Sequence, residues 1–141
     1  VLANVGLVVS HARHHLHTYY IVRNADLVGF TDHEIELIAQ IARYHRKSEP
    51  KLQHAAFAAL SEEDQHTVRM LSAILRIAIG LDRTHDGRTT SISVSQKNKS
   101  LHLLLESEKN EDLDLNLYAT QQRVALLADV FECNVTVAIA T

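Results

Sequence analysis

The spacing of apolar residues changes about two thirds of the way along the chain, near Arg88 and Thr89. Before this point apolar residues recur every three or four positions, as on one face of an α-helix. After it they alternate with polar residues, as in a β-strand with one buried face. We therefore expect a mainly α-helical domain over 1–88 and a small α+β domain over 89–141.

Local signals place the helices of the first part. Thr31 and Glu34 have the spacing of a capping box, which predicts that a helix begins there and runs to about Tyr44. Pro50 marks the loop that follows this helix. The pattern predicts helices over 1–9, 14–24, 31–44, 54–59 and 62–82.

The second part predicts a small β-β-β-α-β unit. The clearest alternation is Leu113, Leu115 and Leu117 with polar residues between them. Strands are expected over 91–95, 101–105, 113–117 and 135–139, and a helix over 119–132.

Composition restricts the class of protein. Hydrophobic residues make up 46% of the 141 residues, enough for a packed core, and the net charge of −3 argues against general nucleic-acid binding. No apolar run approaches the roughly 20 residues that span a bilayer. The single cysteine, Cys133, excludes an intrachain disulfide and favours a reducing compartment. We expect a cytoplasmic protein with no membrane partner, and the apolar start at Val1 suggests a piece of a longer chain.

Histidines are concentrated near the start of the chain. Four of the ten fall within one short segment: His11, His14, His15 and His17. Imidazoles are common metal ligands, but no acidic residue accompanies them before Asp26. The favoured interpretation is a solvated surface or an anion contact, because a nearby anion stabilises protonated histidine.

A second basic group follows the predicted helix over 31–44. It contains Arg43, His45, Arg46 and Lys47. Cations at the C-terminus of a helix are stabilised by the helix dipole, which is a sufficient structural explanation. Phosphate contact is the equal alternative, because arginine binds phosphate oxygens in a bidentate way.

A third group of cations lies on the longest predicted helix. Arg69, Arg76 and Arg83 are spaced one heptad apart and so lie along one stripe. Such a stripe suits an extended polyanion, and it is also how an ordinary solvated face looks. No nucleotide P-loop and no GxSxG nucleophile elbow is present.

Several segments resemble the C-terminal region of the exopolyphosphatase / guanosine pentaphosphate phosphohydrolase (Ppx/GppA) family. The resemblance covers nearly the whole chain and is carried by residues 14–30, 41–47, 75–83 and 130–132. It implies a helical bundle similar to the His-Asp (HD) metal hydrolases, followed by a small α/β domain. It also implies that a pair of N-terminal actin-like domains, absent here, holds the catalytic site and its Mg²⁺.

The family removes phosphate from polyphosphate or from guanosine pentaphosphate. The resemblance therefore implies one of these polyanions and the actin-like domains of the same protein as partners. Separately, we expect a homodimer, with a second copy of the chain as a further partner. It carries no catalytic residue and no cofactor over to this sequence.

The chain departs from its relatives at the residues that name the HD fold. Ala3 and Asn4 stand where many relatives have a His-Asp pair, and Ile79 replaces an aspartate of some relatives. A divalent ion would have to rely on His15, His45 and Asp82, which implies that an HD hydrolase centre is absent.

The leading hypothesis is a substrate-handling module of an exopolyphosphatase-like protein that is not catalytic by itself. Two alternatives stay open: a stand-alone HD-type metal-dependent nucleotide phosphohydrolase, and a structural dimerisation domain. In the leading hypothesis Arg43, His45, Arg46, Lys47, Arg76 and Arg83 face one groove. The candidate anion-binding residues are His14, His15, His17, Arg23, Arg43, His45, Arg46, Lys47, Arg76 and Arg83.

Overall fold

The computed structural model describes residues 1–108 and 112–140. The chain forms two compact units, Val1–Ser72 and Ala73–Thr141, and the division falls inside its longest helix. The domain boundary expected near residue 88 stays a prediction. Within the described residues, no helix has the length and apolar character needed to cross a bilayer.

The first unit is helical, as the sequence pattern predicts. A 3-10 helix over Leu2–Val8 replaces the expected α-helix at the start. The α-helices are α1 (His14–Arg23), α2 (Asp32–Arg43), α3 (Ala55–Ala58) and α4 (Glu62–Leu81), the last continuing into the second unit.

The capping box at the start of α2 is confirmed. The Glu34 amide donates to Thr31 Oγ1 at 3.2 Å, and the Thr31 amide donates to Glu34 Oε2 at 2.7 Å. The Thr31 amide and hydroxyl both donate to the Glu34 carboxylate, and these two bonds hold the pKa of Glu34 below its usual value. The reciprocal bonds fix the point at which α2 begins.

Helices α1 and α2 form an antiparallel hairpin. At one end, Arg23 near the C-terminus of α1 binds Asp32 at 2.9 Å and Glu36 at 2.6 Å, both on α2. Tyr19 also donates to Glu36, at 2.9 Å. Because the helices run in opposite directions, the start of α1 lies beside the residues that follow α2.

The 3-10 helix packs against α1 with no space for a side chain at Gly6. A Cβ atom added there would lie 2.0 Å from the His14 carbonyl oxygen and 2.5 Å from the Thr18 amide. The Gly6 amide donates to Thr18 Oγ1 at 2.9 Å, and this hydroxyl donates to the Ala3 carbonyl at 3.0 Å. Glycine at position 6 thus allows the approach that holds the first turn of α1 in place.

The second unit contains a three-stranded mixed sheet and two short helices. Its strands are β1 (Ser91–Lys97), β2 (Ser100–Glu106) and β3 (Asn134–Ile139), in the order β1-β2-β3. The first pair is antiparallel and the second is parallel. The intervening helices are α5 (Asp114–Gln121) and α6 (Ala125–Val130). The core includes Ala73, Ile77, Leu103, Leu105, Leu113, Leu126, Leu127 and Val137.

The predicted strand over 113–117 is wrong: residues 114–121 form α5. Leu113 and Asn116 are buried while Leu115 is 66% exposed, which is a helical spacing of buried positions. The buried Asn116 amide donates to the Leu81 carbonyl at the end of α4 at 2.7 Å. The single helix expected over 119–132 is divided into α5 and α6, so the order is β-β-α-α-β.

Candidate anion-binding site

The α1–α2 hairpin brings the histidine-rich segment and the basic segment together within the first unit. His14 is the first residue of α1, and His45 lies just beyond the end of α2. Both imidazoles are buried, with 5% and 4% of their surfaces exposed. The two groups that the sequence presents separately therefore form one cluster.

His14 connects His45 with a guanidinium group. Its Nε2 atom lies 3.1 Å from Nε2 of His45, and its Nδ1 atom lies 3.0 Å from Nη1 of Arg46. His45 Nδ1 is 2.6 Å from the Ala42 carbonyl oxygen, near the end of α2. Arg46 is thereby joined to the interior of the first unit.

Burial keeps both histidines neutral. It lowers the pKa of His45 from 6.5 to about 4 and also lowers the pKa of His14. The positive charge of Arg46 acts in the same direction on each. The charged groups of this cluster are therefore the arginine and lysine side chains around the histidine pair.

Three cationic side chains act on the imidazole of His15. Burial lowers the pKa of His15, and the charges of Arg46, Arg43 and Lys47 lower it further. These side chains are thus near enough to act on one imidazole. The buried Nδ1 atom of His15 has no hydrogen-bond partner within the described residues.

Arg43 lies near the rings of two tyrosines. Its guanidinium carbon is 5.8 Å from the centre of the Tyr19 ring and 5.2 Å from that of Tyr44. Both distances are within the range of a cation–π interaction. The sequence reasoning missed the tyrosines as positioning groups, although Tyr44 directly follows Arg43 and the antiparallel hairpin brings Tyr19 to it.

Helix α1 begins without an acidic group. No side chain caps its first turn, and that turn contains no aspartate or glutamate. The N-terminus of an α-helix carries a partial positive charge, which favours an anion. The adjacent cations add to this field. We call His14, His15, Arg43, Arg46 and Lys47 the cationic cluster.

His45 is the buried partner of this cluster, and two other predicted site residues of the first unit, Arg23 and His17, are not counted in it. Arg23 is at the opposite end of α1, where Asp32 and Glu36 bind its guanidinium. His17 is half-buried at the end of the first turn of α1. Arg76 and Arg83 belong to the second unit, so the common groove proposed for them stays a prediction.

The structure also describes the positions that correspond to the HD-type residues of the relatives. Ala3 is buried and its carbonyl accepts from Thr18, and Asn4 is exposed. Asp82, in the second unit, lies 3.3 Å from His85 Nδ1. Over residues 1–108 and 112–140, no three His, Cys, Asp or Glu side chains are grouped so that they could hold a metal ion.

The fold is that of a mainly helical protein with a small mixed sheet, and the site is a cationic cluster next to a helix N-terminus. The chain belongs to the Ppx/GppA family: the family model described as "Ppx/GppA phosphatase, domain III" matches residues 1–123. This match confirms the resemblance seen in the sequence.

A curated relative is the guanosine-5'-triphosphate,3'-diphosphate pyrophosphatase of Pseudoalteromonas translucida (strain TAC 125). It is 30% identical over 115 residues, which cover 79% of this chain and 22% of that protein. The chain thus spans less than a quarter of the length of this relative.

Proposed function

We propose that this chain is a phosphate-anion-handling region of an exopolyphosphatase-like phosphohydrolase. Its ligand is polyphosphate or guanosine pentaphosphate, and the cationic cluster holds part of that ligand. The name of the curated relative, a pyrophosphatase for a guanosine nucleotide, supports a phosphoanhydride as the ligand class. The chemistry itself would belong to actin-like domains with Mg²⁺ elsewhere in a cytoplasmic parent protein, and this helical unit would be an HD-like bundle without its metal ligands.

The observation that carries the proposal is the convergence of two basic segments on one helix N-terminus. Nη1 of Arg46, from the second basic segment, lies 3.0 Å from Nδ1 of His14 in the histidine-rich segment. Burial lowers the pKa of His15, and the charges of Arg46, Arg43 and Lys47 lower it further. Guanidinium groups bind phosphate oxygens with geometric specificity, and a helix N-terminus adds a favourable field. An extended polyanion would also gain from releasing its counterions.

Calorimetric titration with medium-length polyphosphate over a series of KCl concentrations tests the proposal. Wild-type chain should bind, and the affinity should fall steeply as salt rises. Arg46→Ala should weaken binding about tenfold at low salt and reduce the slope, because one charge-assisted hydrogen bond is lost.

Arg23→Ala is the matched control. It also removes one guanidinium from the first unit, but Asp32 and Glu36 bind that group. Its affinity should stay within about twofold of wild type. Affinities for wild type, Arg46→Ala and Arg23→Ala that are equal and independent of salt would reject the proposal.

The double variant Arg76→Ala/Arg83→Ala addresses the predicted common groove. If the second unit contributes to the same polyanion track, this variant should lose affinity for long polyphosphate and keep its affinity for pyrophosphate. The reason is that a short anion cannot contact all the cations of an extended track at once. An unchanged affinity for long polyphosphate would confine the site to the first unit.

The second candidate is a dimerisation domain whose partner is a second copy of the chain. Strand β1 lies at the edge of the sheet, and all seven of its residues are exposed. Ile92 and Val94 of β1 are 41% and 57% exposed and line an apolar cavity of about 380 Å³. An unpaired edge strand is a template for pairing with another chain.

Light scattering at several protein concentrations tests this candidate. Wild-type chain should associate, and Val94→Lys should stay monomeric because it places a charge on the edge. Leu113 takes no part in such an edge contact, because it is 2% exposed and lies in the core.

A further inference from the structure

We infer that strand β1 pairs antiparallel with β1 of a second copy, with Val94 opposite Val94 and with Lys97 of each copy facing Glu106 of the other. The two sheets then become one sheet with three strands from each copy. This pairing rests on the dimerisation candidate and adds its register and its charges. All the residues concerned lie in the second unit.

The free edge of β1 lacks the features that usually protect an edge strand. The strand spans seven residues without proline or glycine, and its one charged residue, Lys97, is at the end. An edge of this kind offers unpaired amide and carbonyl groups to another strand. Strand β1 is therefore open to pairing over its full length.

The side chains of β1 alternate between the two faces of the sheet. Ile92 and Val94 pair with Leu105 and Leu103 of β2, both of which belong to the core, so they lie on the core face. The serines of β1 lie on the outer face. A strand added beside β1 must therefore present apolar side chains at alternate positions on the core face and polar side chains on the outer face.

The sequence of β1 itself meets this requirement. In an antiparallel pair of two copies, only one register pairs all seven residues, and it places Val94 on the twofold axis. Ile92 then lies opposite Gln96 of the second copy, and Ser93 lies opposite Ser95. Core-face residues meet core-face residues, so the apolar layers of both copies lie on the same side of the combined sheet.

The charges near the ends of β1 favour the antiparallel direction. The same register brings Lys97 opposite Ser91 of the second copy. Ser91 donates to Glu106 at 2.6 Å, and hydrogen bonds from Ser91 and Ser93 hold the pKa of Glu106 below its usual value, so this group is a carboxylate at neutral pH. Lys97 and Glu106 of the second copy are then two strand spacings apart, about 10 Å at the backbone, within reach of two long side chains. An in-register parallel pair would instead place two lysines side by side.

Pairing also covers apolar surface that β1 leaves open. Ile92 and Val94 are 41% and 57% exposed at the cavity of the second unit. In the combined sheet, the Cβ atoms of the two Val94 residues lie about 5 Å apart. Removing these side chains from water favours association.

Disulfide trapping in a Cys133→Ser background tests the register on the 141-residue chain. With diamide as the oxidant, Val94→Cys should form a linked dimer, because directly opposite residues are close enough for a disulfide. Ile92→Cys alone should not, since its two copies are four positions out of register, about 13 Å apart, but a mixture of Ile92→Cys and Gln96→Cys should. Leu104→Cys, on the outer face of β2, controls for random collision.

Charge reversal tests the contact between Lys97 and Glu106. Lys97→Glu should weaken association about fivefold to tenfold at low salt, because the symmetry of the dimer makes two attractive contacts repulsive. Lys97→Glu/Glu106→Lys should restore most of this loss. Lys51→Glu, which has the same change of charge in the first unit, should stay within about twofold of wild type. Equal association of Lys97→Glu and wild type would overturn the inferred contact.

Light scattering separates failure of this pairing from failure of the dimerisation candidate. If the Cys133→Ser chain associates but Val94→Cys gives no more linked dimer than Leu104→Cys, the pairing through β1 is wrong, and dimerisation uses another surface. If the chain is monomeric at every concentration and Val94→Cys is not trapped, both fail. Association together with selective trapping of Val94→Cys is the result that the geometry predicts.

Discussion

The Nε2 atoms of His14 and His45 lie 3.1 Å apart inside the first unit, although the α1–α2 hairpin separates the two residues in sequence. One residue begins α1 and the other follows α2. The contact therefore depends on the correct pairing of both helices. It joins a buried pair of neutral imidazoles to the arginine that we expect to meet the anion.

Folding stability should decrease as pH falls from about 6.5 to about 4. Burial lowers the pKa of His45 from 6.5 to about 4. Between these pH values, His45 binds a proton in the unfolded chain but stays neutral in the folded chain. Stability contributed by neutral His45 is thus present above pH 6.5 and lost as pH falls through this window. Urea unfolding followed by circular dichroism at several pH values measures it.

The variant His45→Gln serves as the control for this pH dependence. It keeps an acceptor for His14 but cannot titrate, so its unfolding free energy should vary less with pH between about 6.5 and 4. Curves with the same pH slope for wild type and variant would show that other groups cause the loss.

Tyr19→Leu should weaken polyphosphate binding about twofold to fivefold. The ring of Tyr19 lies under the guanidinium of Arg43, and a cation–π contact is worth roughly 0.5–1 kcal/mol at a partly exposed site. Tyr19→Phe keeps the ring and loses only the hydroxyl that donates to Glu36. Calorimetric titration should give Tyr19→Phe the wild-type affinity, and an equal loss in both variants would contradict a role for the ring.

Gly6→Ala should destabilise the chain by roughly 1–3 kcal/mol or more, the range for overpacking a tight contact. The added methyl group would meet the backbone of His14 and Thr18. Val8→Ala, on the same 3-10 helix but 84% exposed, should change stability by less than about 0.5 kcal/mol. Denaturant unfolding compares the two, and equal midpoints for both variants would refute the close approach.

Asn116→Ala should destabilise the second unit by about 1–3 kcal/mol, because it removes two hydrogen bonds that a buried amide donates. The Asn116 amide donates to the Leu81 carbonyl at 2.7 Å and to Thr89 Oγ1 at 3.0 Å. Leu115→Ala, which is next in sequence and 66% exposed, is the control. Hydrogen exchange at the end of α4 should increase in Asn116→Ala and stay unchanged in Leu115→Ala.

Most helices and three strands could be predicted from the sequence because local signals determine them. The capping box of Thr31 and Glu34 and the heptad-like apolar spacing of α4 need no tertiary information. The segment at 113–117 could not be assigned in this way. Its leucines alternate, but the buried Asn116 amide and the core position of Leu113 select a helix through contacts distant in sequence.

The candidate site could be predicted only in part. Composition alone singles out the two basic segments, but the pairing of His14 with His45 requires the antiparallel hairpin. Arg23 is a predicted anion-binding residue that the fold does not leave available. Its guanidinium group is bound by Asp32 and Glu36, and the sequence gives no sign of these ion pairs. Charge content indicates where cations are, and only tertiary contacts show which carboxylates neutralise them.

The most direct test of the cationic cluster is a titration of the labelled chain with pyrophosphate followed by amide chemical shifts. The largest saturable shifts should fall on the first turn of α1, from His14 to His17, and on Arg43 to Lys47. In Arg46→Ala they should be much smaller at the same pyrophosphate concentrations, as expected for binding that is about tenfold weaker. Shifts that are absent, that never saturate, or that centre on other residues of the chain would contradict the account.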